Sequence, residues 1–287
     1  MAGSATESGV TARIADAGTQ LTAAERRVAQ VVLERPQLVA FGTVAELAAQ
    51  AKAGAATVVR LAAKLGFDGF SSLQTSVQHD LTRQLRPAVE RIRELADQQP
   101  VERHQAIALS NVAATLQSVS RDELEAVTAE LSDLEHPVLV LAGDAESGVA
   151  SQFGHDLDAL RAGVVMVNGN DVAVRRQLAA SGAAATLMVI DLRRYDRWLL
   201  EALAAGRAAG HTVVALSDGP LSPLAMVADH SFTLAARSAS PFESHVGTLA
   251  LLELLVAAVA ERLRESAAPR LERTESAWAA ARSLTDS

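Results

Sequence analysis

The sequence predicts two domains of different class: an all-α helix-turn-helix head joined by a helical connector to an α/β domain, whose parallel sheet is covered by helices on both faces. Three observations carry this. A chain of 287 residues exceeds the usual size of one domain, so two separate cores are expected. Residues 21–84 repeat apolar side chains at helical spacing with short breaks. From His136-Pro137 onward, short aliphatic runs alternate with helical stretches, the pattern of a parallel sheet between helix layers. The boundaries that follow are 1–86 for the head, 87–135 for the connector, 136–265 for the α/β domain and 266–287 for a final helix or tail.

In the head, Thr22 and Glu25 form a capping box. Val28, Val31, Val32 and Leu33 supply an apolar face until Pro36 closes the helix. A turn of helix is expected over 37–40. Thr43 caps the next helix, which turns Val44, Leu47 and Ala48 inward and breaks near Ala53-Gly54. A third helix runs from Ala55 to Leu65, with Gly66 as the left-handed residue past its end. Phe67 and Phe70 close the small core, and another helix spans 71–84. Pro87, Pro100 and the Ser120-Arg121-Asp122 cap divide 88–135 into two or three amphipathic helices. Strands are expected over VLVLAG (138–143), VVMVNG (164–169), ATLMVID (185–191), TVVALSD (212–218) and HSFTLAA (230–236). Helices are expected over 147–161, 171–180, 196–209, 221–228 and 244–264.

Composition narrows the function. Hydrophobic residues make up 49% and aromatics 3%, which suits aliphatic cores of helices and buried strands. There is no cysteine, which excludes disulfide and thiolate chemistry. The N-terminal MAGSATESGVTARIADAG has neither a basic start nor an apolar run. The longest apolar stretch, LALLELLVAAVA at 249–260, contains Glu253 and is too short to span a bilayer. A cytoplasmic protein with no membrane partner is expected. The net charge of −8 divides unevenly: 1–86 hold 9 Lys and Arg against 7 Asp and Glu, whereas 87–287 hold 17 against 27. That excess of cations in front permits DNA binding there.

Residues 43–65 have the layout of a helix-turn-helix, with a positioning helix over 43–50, a turn at Lys52-Ala53-Gly54 and a recognition helix over 55–65. Candidate DNA contacts are Thr43, Lys52, Ala55, Ala56, Thr57, Arg60 and Lys64. The two alanines let the helix end approach base edges and can touch thymine methyls. Thr57 can bond phosphate or base, Arg60 can grip guanine bidentately, and Lys64 suits phosphate. The same spacing also serves plain packing in helical bundles, with Arg60 an ordinary solvated residue.

Residues 21–84 resemble the N-terminal domain of the RpiR family of bacterial transcriptional regulators. The most specific stretch is ATVVRLAAKLGFDGF, which follows the family's T-V-x-R-x-x-x-K-L-G-F-x-G-F pattern. The resemblance implies binding to double-stranded operator DNA as a homodimer or homotetramer. Where the family commonly has serine as the recognition-helix cap, this chain has Gly54.

In the rear half, ligands are expected beyond the C-terminal ends of the strands. The loops there offer Gly143, Ser147 and Gly148 after the first strand, and Asp191, Arg193, Arg194 and Tyr195 after the third. After the fourth come Ser217, Asp218 and Ser222, and before the last long helix Glu243, Ser244 and His245. This half resembles the SIS, or sugar isomerase, domain, most closely at SPLAMVAD (222–229). The resemblance implies a sensor of a small anionic metabolite such as a sugar phosphate. Two departures stand out. The family's G-x-G-x-S loop aligns with Gly143-Asp144-Ala145-Glu146-Ser147, and its phosphate loop S-x-S-G-x-T aligns with Asp191-Leu192-Arg193-Arg194-Tyr195-Asp196, which lacks those hydroxyls. The aspartates there would repel phosphate, whereas Arg193 or Arg194 could bind a phosphate or carboxylate.

Sugar-phosphate isomerisation would need a base beside the carbonyl-bearing carbon and a held phosphate. Glu243 and His245 are the right residue types, but at a helix start such residues more often cap or solvate. The seven histidines lack the i+4 partners of a metal site. No catalytic residue, cofactor or metal is assigned. The expectation is a regulator that is not an enzyme; the alternatives are a SIS-type isomerase and a non-catalytic oligomeric scaffold.

Overall fold

Thr22 and Glu25 open the first long helix by a reciprocal capping box, as the sequence predicts. The computed structural model describes residues 10–17, 21–85, 88–93, 100–182, 184–220 and 222–283. Its chain divides into two units, Met1–Pro87 and Ala88–Ser287.

The first unit is helical: α1 (Val10–Ala17), α2 (Ala23–Glu34), α3 (Pro36–Phe41), α4 (Val44–Gln50), α5 (Ala55–Lys64) and α6 (Phe70–Leu85). Val28, Val39, Leu47, Val58, Leu61 and Leu73 meet in one core. A fully buried leucine such as Leu47 or Leu61 contributes about 1.5–3 kcal/mol relative to exposure. Leu33 departs from expectation and is 42% exposed. Val28, Val31 and Val32 fill the inward arc of α2, and one further step of about 100° carries Leu33 out of it.

Side chains from neighbouring helices satisfy the orphan carbonyls at the helix ends. Arg27 on α2 donates to Ala51 O at 3.3 Å and Lys52 O at 3.2 Å, clamping the turn after α4. Lys52 is left-handed there, at φ 48°. Gly66, at φ +79°, ends α5 in the conformation that favours glycine. Arg13 on α1 donates to Leu65 O at 3.0 Å and lies over the Phe67 ring.

The second unit begins with α7 (Ala88–Arg93), α8 (Pro100–Ser118) and α9 (Arg121–Ser132). Then alternate β1 (Val138–Ala142), α10 (Ser147–Leu160), β2 (Val164–Met166), α11 (Asp171–Ala180), β3 (Thr186–Ile190), α12 (Arg197–Ala208) and β4 (Thr212–Ser217). β5 (His230–Thr233), α13 (Val246–Arg262) and α14 (Arg264–Ala281) follow. The sheet is parallel with spatial order β2-β1-β3-β4-β5. Alternate strand residues face opposite layers. Val138, Val140, Met188 and Ile190 pack with residues of α9, α10 and α13. Leu139, Leu141, Leu187 and Val189 pack with α11 and α12. The helix expected over 221–228 is instead a run of turns across 222–227. Ser222 Oγ accepts the N–H of Ala225 at 3.0 Å and Ser222 O that of Met226 at 3.0 Å, a single turn that is not continued.

The helices read as a connector form part of this second unit. α8 and α9 finish the sheet edge. The N–H of Ser231 is accepted by Glu123 Oε1 at 2.9 Å, and Ser118 Oγ donates to Thr233 O at 3.2 Å. The N–H of Ala235 goes to Thr115 Oγ1 at 3.0 Å, and Asn111 Nδ2 donates to Arg237 O at 2.6 Å. Every second residue from 231 to 237 is thus bonded by a side chain where another strand would otherwise pair.

Candidate DNA-reading helix and ligand crevice

α5 separates its two faces cleanly. Thr57, Val58, Leu61 and Ala62 are buried, while Ala55, Ala56, Val59, Arg60, Ala63 and Lys64 are exposed. Its N-cap, Gly54, makes no side-chain cap, so the first N–H groups of the helix keep no such partner. Of the expected DNA contacts, Ala55, Ala56 and Arg60 lie on the open face. Thr57 does not: it is 6% exposed, and its Oγ1 accepts Arg60 Nη2 at 3.1 Å. Its hydroxyl therefore orients the guanidinium rather than facing outward. Val59, 45% exposed, was missed by the sequence reading; an apolar side chain one turn past Ala55 and Ala56 was its signal.

Thr43 is engaged in the capping box of α4 with Glu46, which lowers the Glu46 pKa through the Thr43 N–H and hydroxyl. The Lys52 side chain is exposed beside the turn. Lys64 reaches back to α2, where its Nζ donates to Glu25 Oε2 at 2.7 Å. That bond, with the Thr22 N–H, holds the Glu25 carboxyl down to about 2.

In the second unit, the expected residues form two linked groups and one separate one. At the ends of β1 and β3, Gly143 faces Glu146 and Asp191, whose exposures are only 2% and 4%. Asp191 Oδ2 accepts the N–H of Asp196 at 2.8 Å, and Asp196 Oδ2 accepts the N–H of Asp144 at 2.9 Å. Burial, then the charge of Asp191, pushes the Glu146 carboxyl up to about 8. Burial raises Asp191 as well, and the Asp196 N–H offsets part of that rise. Both shifts run upward because the two carboxyl groups are buried side by side, which favours the protonated form of Glu146. Ser147 is exposed, and its Oγ donates to Asp144 O at 2.7 Å.

The second group centres on Asp218 after β4. It pairs with Arg193 at 2.7 Å and accepts the Tyr195 hydroxyl and Ser217 Oγ. Burial and then that bond raise the Tyr195 pKa. Arg194 stays exposed in a left-handed conformation, φ 73°, without a bonded partner among the described residues. Glu243 stands apart, paired with Arg91 of α7 at 2.7 Å. Ser244 is tied through its N–H to Ala236 O, and burial lowers the His245 pKa. Sequence reasoning overlooked Glu146 as a member of the site, although its place beside Gly143 was visible. Among the described residues no cluster of His, Asp or Glu is arranged to hold a metal ion, and no helix is long and apolar enough to cross a membrane.

Comparison with known proteins agrees with this geometry. Residues 8–84 match the helix-turn-helix domain of the rpiR family, and residues 130–258 match the SIS domain. An uncharacterised HTH-type transcriptional regulator of Haemophilus influenzae is 24% identical over 88% of this chain and 91% of its own. Another, from Caldanaerobacter subterraneus subsp. tengcongensis, is 24% identical over 92% and 95%. The sugar isomerase domain of an RpiR transcription factor from Sphaerobacter thermophilus superposes with TM-score 0.57 at 28% identity, covering 62% of this chain and 99% of that one. The Vibrio vulnificus NanR protein, solved with ManNAc-6P, matches with TM-score 0.57 at 20% identity over 94% and 98%. With an rpiR helix-turn-helix in front and a SIS domain behind, the chain belongs to the RpiR family of transcriptional regulators.

Proposed function

We propose that the chain binds double-stranded operator DNA as a homodimer or homotetramer, and that a small metabolite bound in the SIS unit changes its operator affinity. The observation that carries this is the open face of α5, where Ala55, Ala56, Val59 and Arg60 are exposed together and Thr57 steadies the guanidinium. Small and apolar side chains suit thymine methyls, and an oriented arginine suits guanine. Lys52 beside the turn would meet phosphate.

The ligand class favoured is a sugar-derived metabolite, since the NanR neighbour was solved with ManNAc-6P. For an anionic form of such a ligand, Arg194 at the mouth of the site is the cation it would meet. The chain acts by binding rather than turnover. Supporting this, Glu243 is held by Arg91, and the Glu146–Asp191 pair is buried away from solvent. Fluorescence anisotropy on a selected duplex tests the proposal, with sugar and sugar-phosphate panels added at fixed salt. A shift in operator affinity with at least one metabolite is the expected result; DNA binding that none of them alters would remove the sensor half of the reading.

A further inference from the structure

The spatial order of the sheet reverses at one place. β1 lies between β2 and β3, so the connections leaving β1 and β3 diverge, and the crevice between their carboxyl ends is where open α/β sheets seat ligands. Here the crevice is filled from within. A methyl group at Gly143 would lie 2.5 Å from Asp191 Oδ1 and 2.7 Å from Glu146 Oε2, so the two carboxyl groups occupy the space directly over that glycine. Three backbone donors at the crevice are already engaged. Asp191 takes the N–H of Asp196 at 2.8 Å and that of Leu192, while Asp196 takes the N–H of Asp144 at 2.9 Å. The nearby guanidinium of Arg193 is neutralised by Asp218 at 2.7 Å.

We infer that Asp191 is the specificity-determining residue of this crevice: backed by Glu146 and Asp196, its carboxyl takes the place of a bound anion, excludes phosphate, and restricts the crevice to an uncharged end of the ligand. The inference rests on the sensor reading above and narrows it. Loop amides that cradle an anion lose that capacity once a carboxylate of the chain accepts from them. A phosphate brought against Asp191 and Asp196 would meet like charge in a partly desolvated site. Phosphate is therefore opposed by repulsion and by the prior engagement of these three donors. Neutral hydroxyl groups meet no such repulsion.

The test uses the full chain with inorganic phosphate as probe, comparing wild type with Asp191→Ser and with the near-isosteric Asp191→Asn. Isothermal titration measures affinity, and amide NMR shifts of residues 144 and 192–196 report whether the crevice is the place bound. Thermal melting identifies which variants fold. The expected result is phosphate affinity at least tenfold tighter in each folded variant, with those amides shifting only in the variants. Wild-type binding as tight as the variants', with the same amides shifting, overturns the inference, as does the absence of any gain in a folded variant. Operator affinity measured on the same samples with and without ligand separates the two readings. If no ligand alters it, the sensor reading fails, while the phosphate result still decides the role of Asp191.

Discussion

Lys64 Nζ, on the last turn of α5, donates at 2.7 Å to the same Glu25 oxygen that accepts the Thr22 N–H at 2.9 Å. The proposed DNA-reading helix is thereby fastened to the N-cap of α2. Because the folded-state pKa of Glu25 is depressed from 4.5 to about 2, its stabilisation is present above about 4.5 and is lost as pH falls toward 2. Glu25→Gln should cost the head about 1–3 kcal/mol at neutral pH and flatten its acid limb between those values. Urea unfolding followed at pH 7 and pH 3 checks both effects.

Thr57 acts on DNA through Arg60, so Thr57→Val should weaken specific binding without altering which bases are preferred. The loss expected is about 0.5–1.5 kcal/mol, the contribution of one hydrogen bond. Arg60→Ala should cost about 1–3 kcal/mol and relax preference at one base position. Anisotropy against single-base variants of a bound duplex distinguishes the two.

Gly54 has open space where a side chain would begin, with nothing within 4 Å of the place a Cβ would take, and an extended backbone at φ −87°. Gly54→Ser should therefore be accommodated without strain and should supply the missing N-cap. A stability gain of a few tenths of a kcal/mol is expected, with tighter operator binding if the new hydroxyl reaches phosphate. Thermal melting and anisotropy measure the two effects separately.

Asn111 and Thr115 substitute for a neighbouring strand along 235–237. Asn111→Ala strands the Arg237 carbonyl and Thr115→Val the Ala235 N–H, each at about 1–3 kcal/mol. Hydrogen exchange should quicken locally at 231–237 in both variants while β1 and β3 stay protected.

Glu146 gives the opposite pH dependence from Glu25. Its folded-state pKa is raised from 4.5 to about 8, so the folded state binds the proton more tightly and stability falls as pH rises between those values. Glu146→Gln should remove that decline and leave the SIS unit more stable than wild type above pH 8. Melting temperatures across pH 5 to 9 provide the comparison.

The features legible in the sequence were local ones. The Thr22 capping box, the Thr43 cap, Gly66 and the alternation of five strands with helices depend on residues a few positions apart. Pairings between distant residues are hidden: the bond from Lys64 to Glu25 spans 39 residues, and the burial of Thr57 is set by neighbours in space that are not its neighbours in sequence. The acidic replacement of the loop after β3 was visible. What could not be read was that Glu146 would be buried beside Asp191 there, since the fold creates that pair. The turns at 222–227 escaped because their apolar spacing imitates a helix.

Selection of genomic fragments by the purified full chain at physiological salt, run beside Arg60→Ala, bears most directly on the α5 face as a DNA-reading surface. Enrichment of a two-fold-symmetric site by the wild type, lost or strongly weakened in the variant, is the expected result. If nothing is enriched above salt-sensitive background, or if Arg60→Ala enriches the same site equally well, α5 does not read DNA through Arg60.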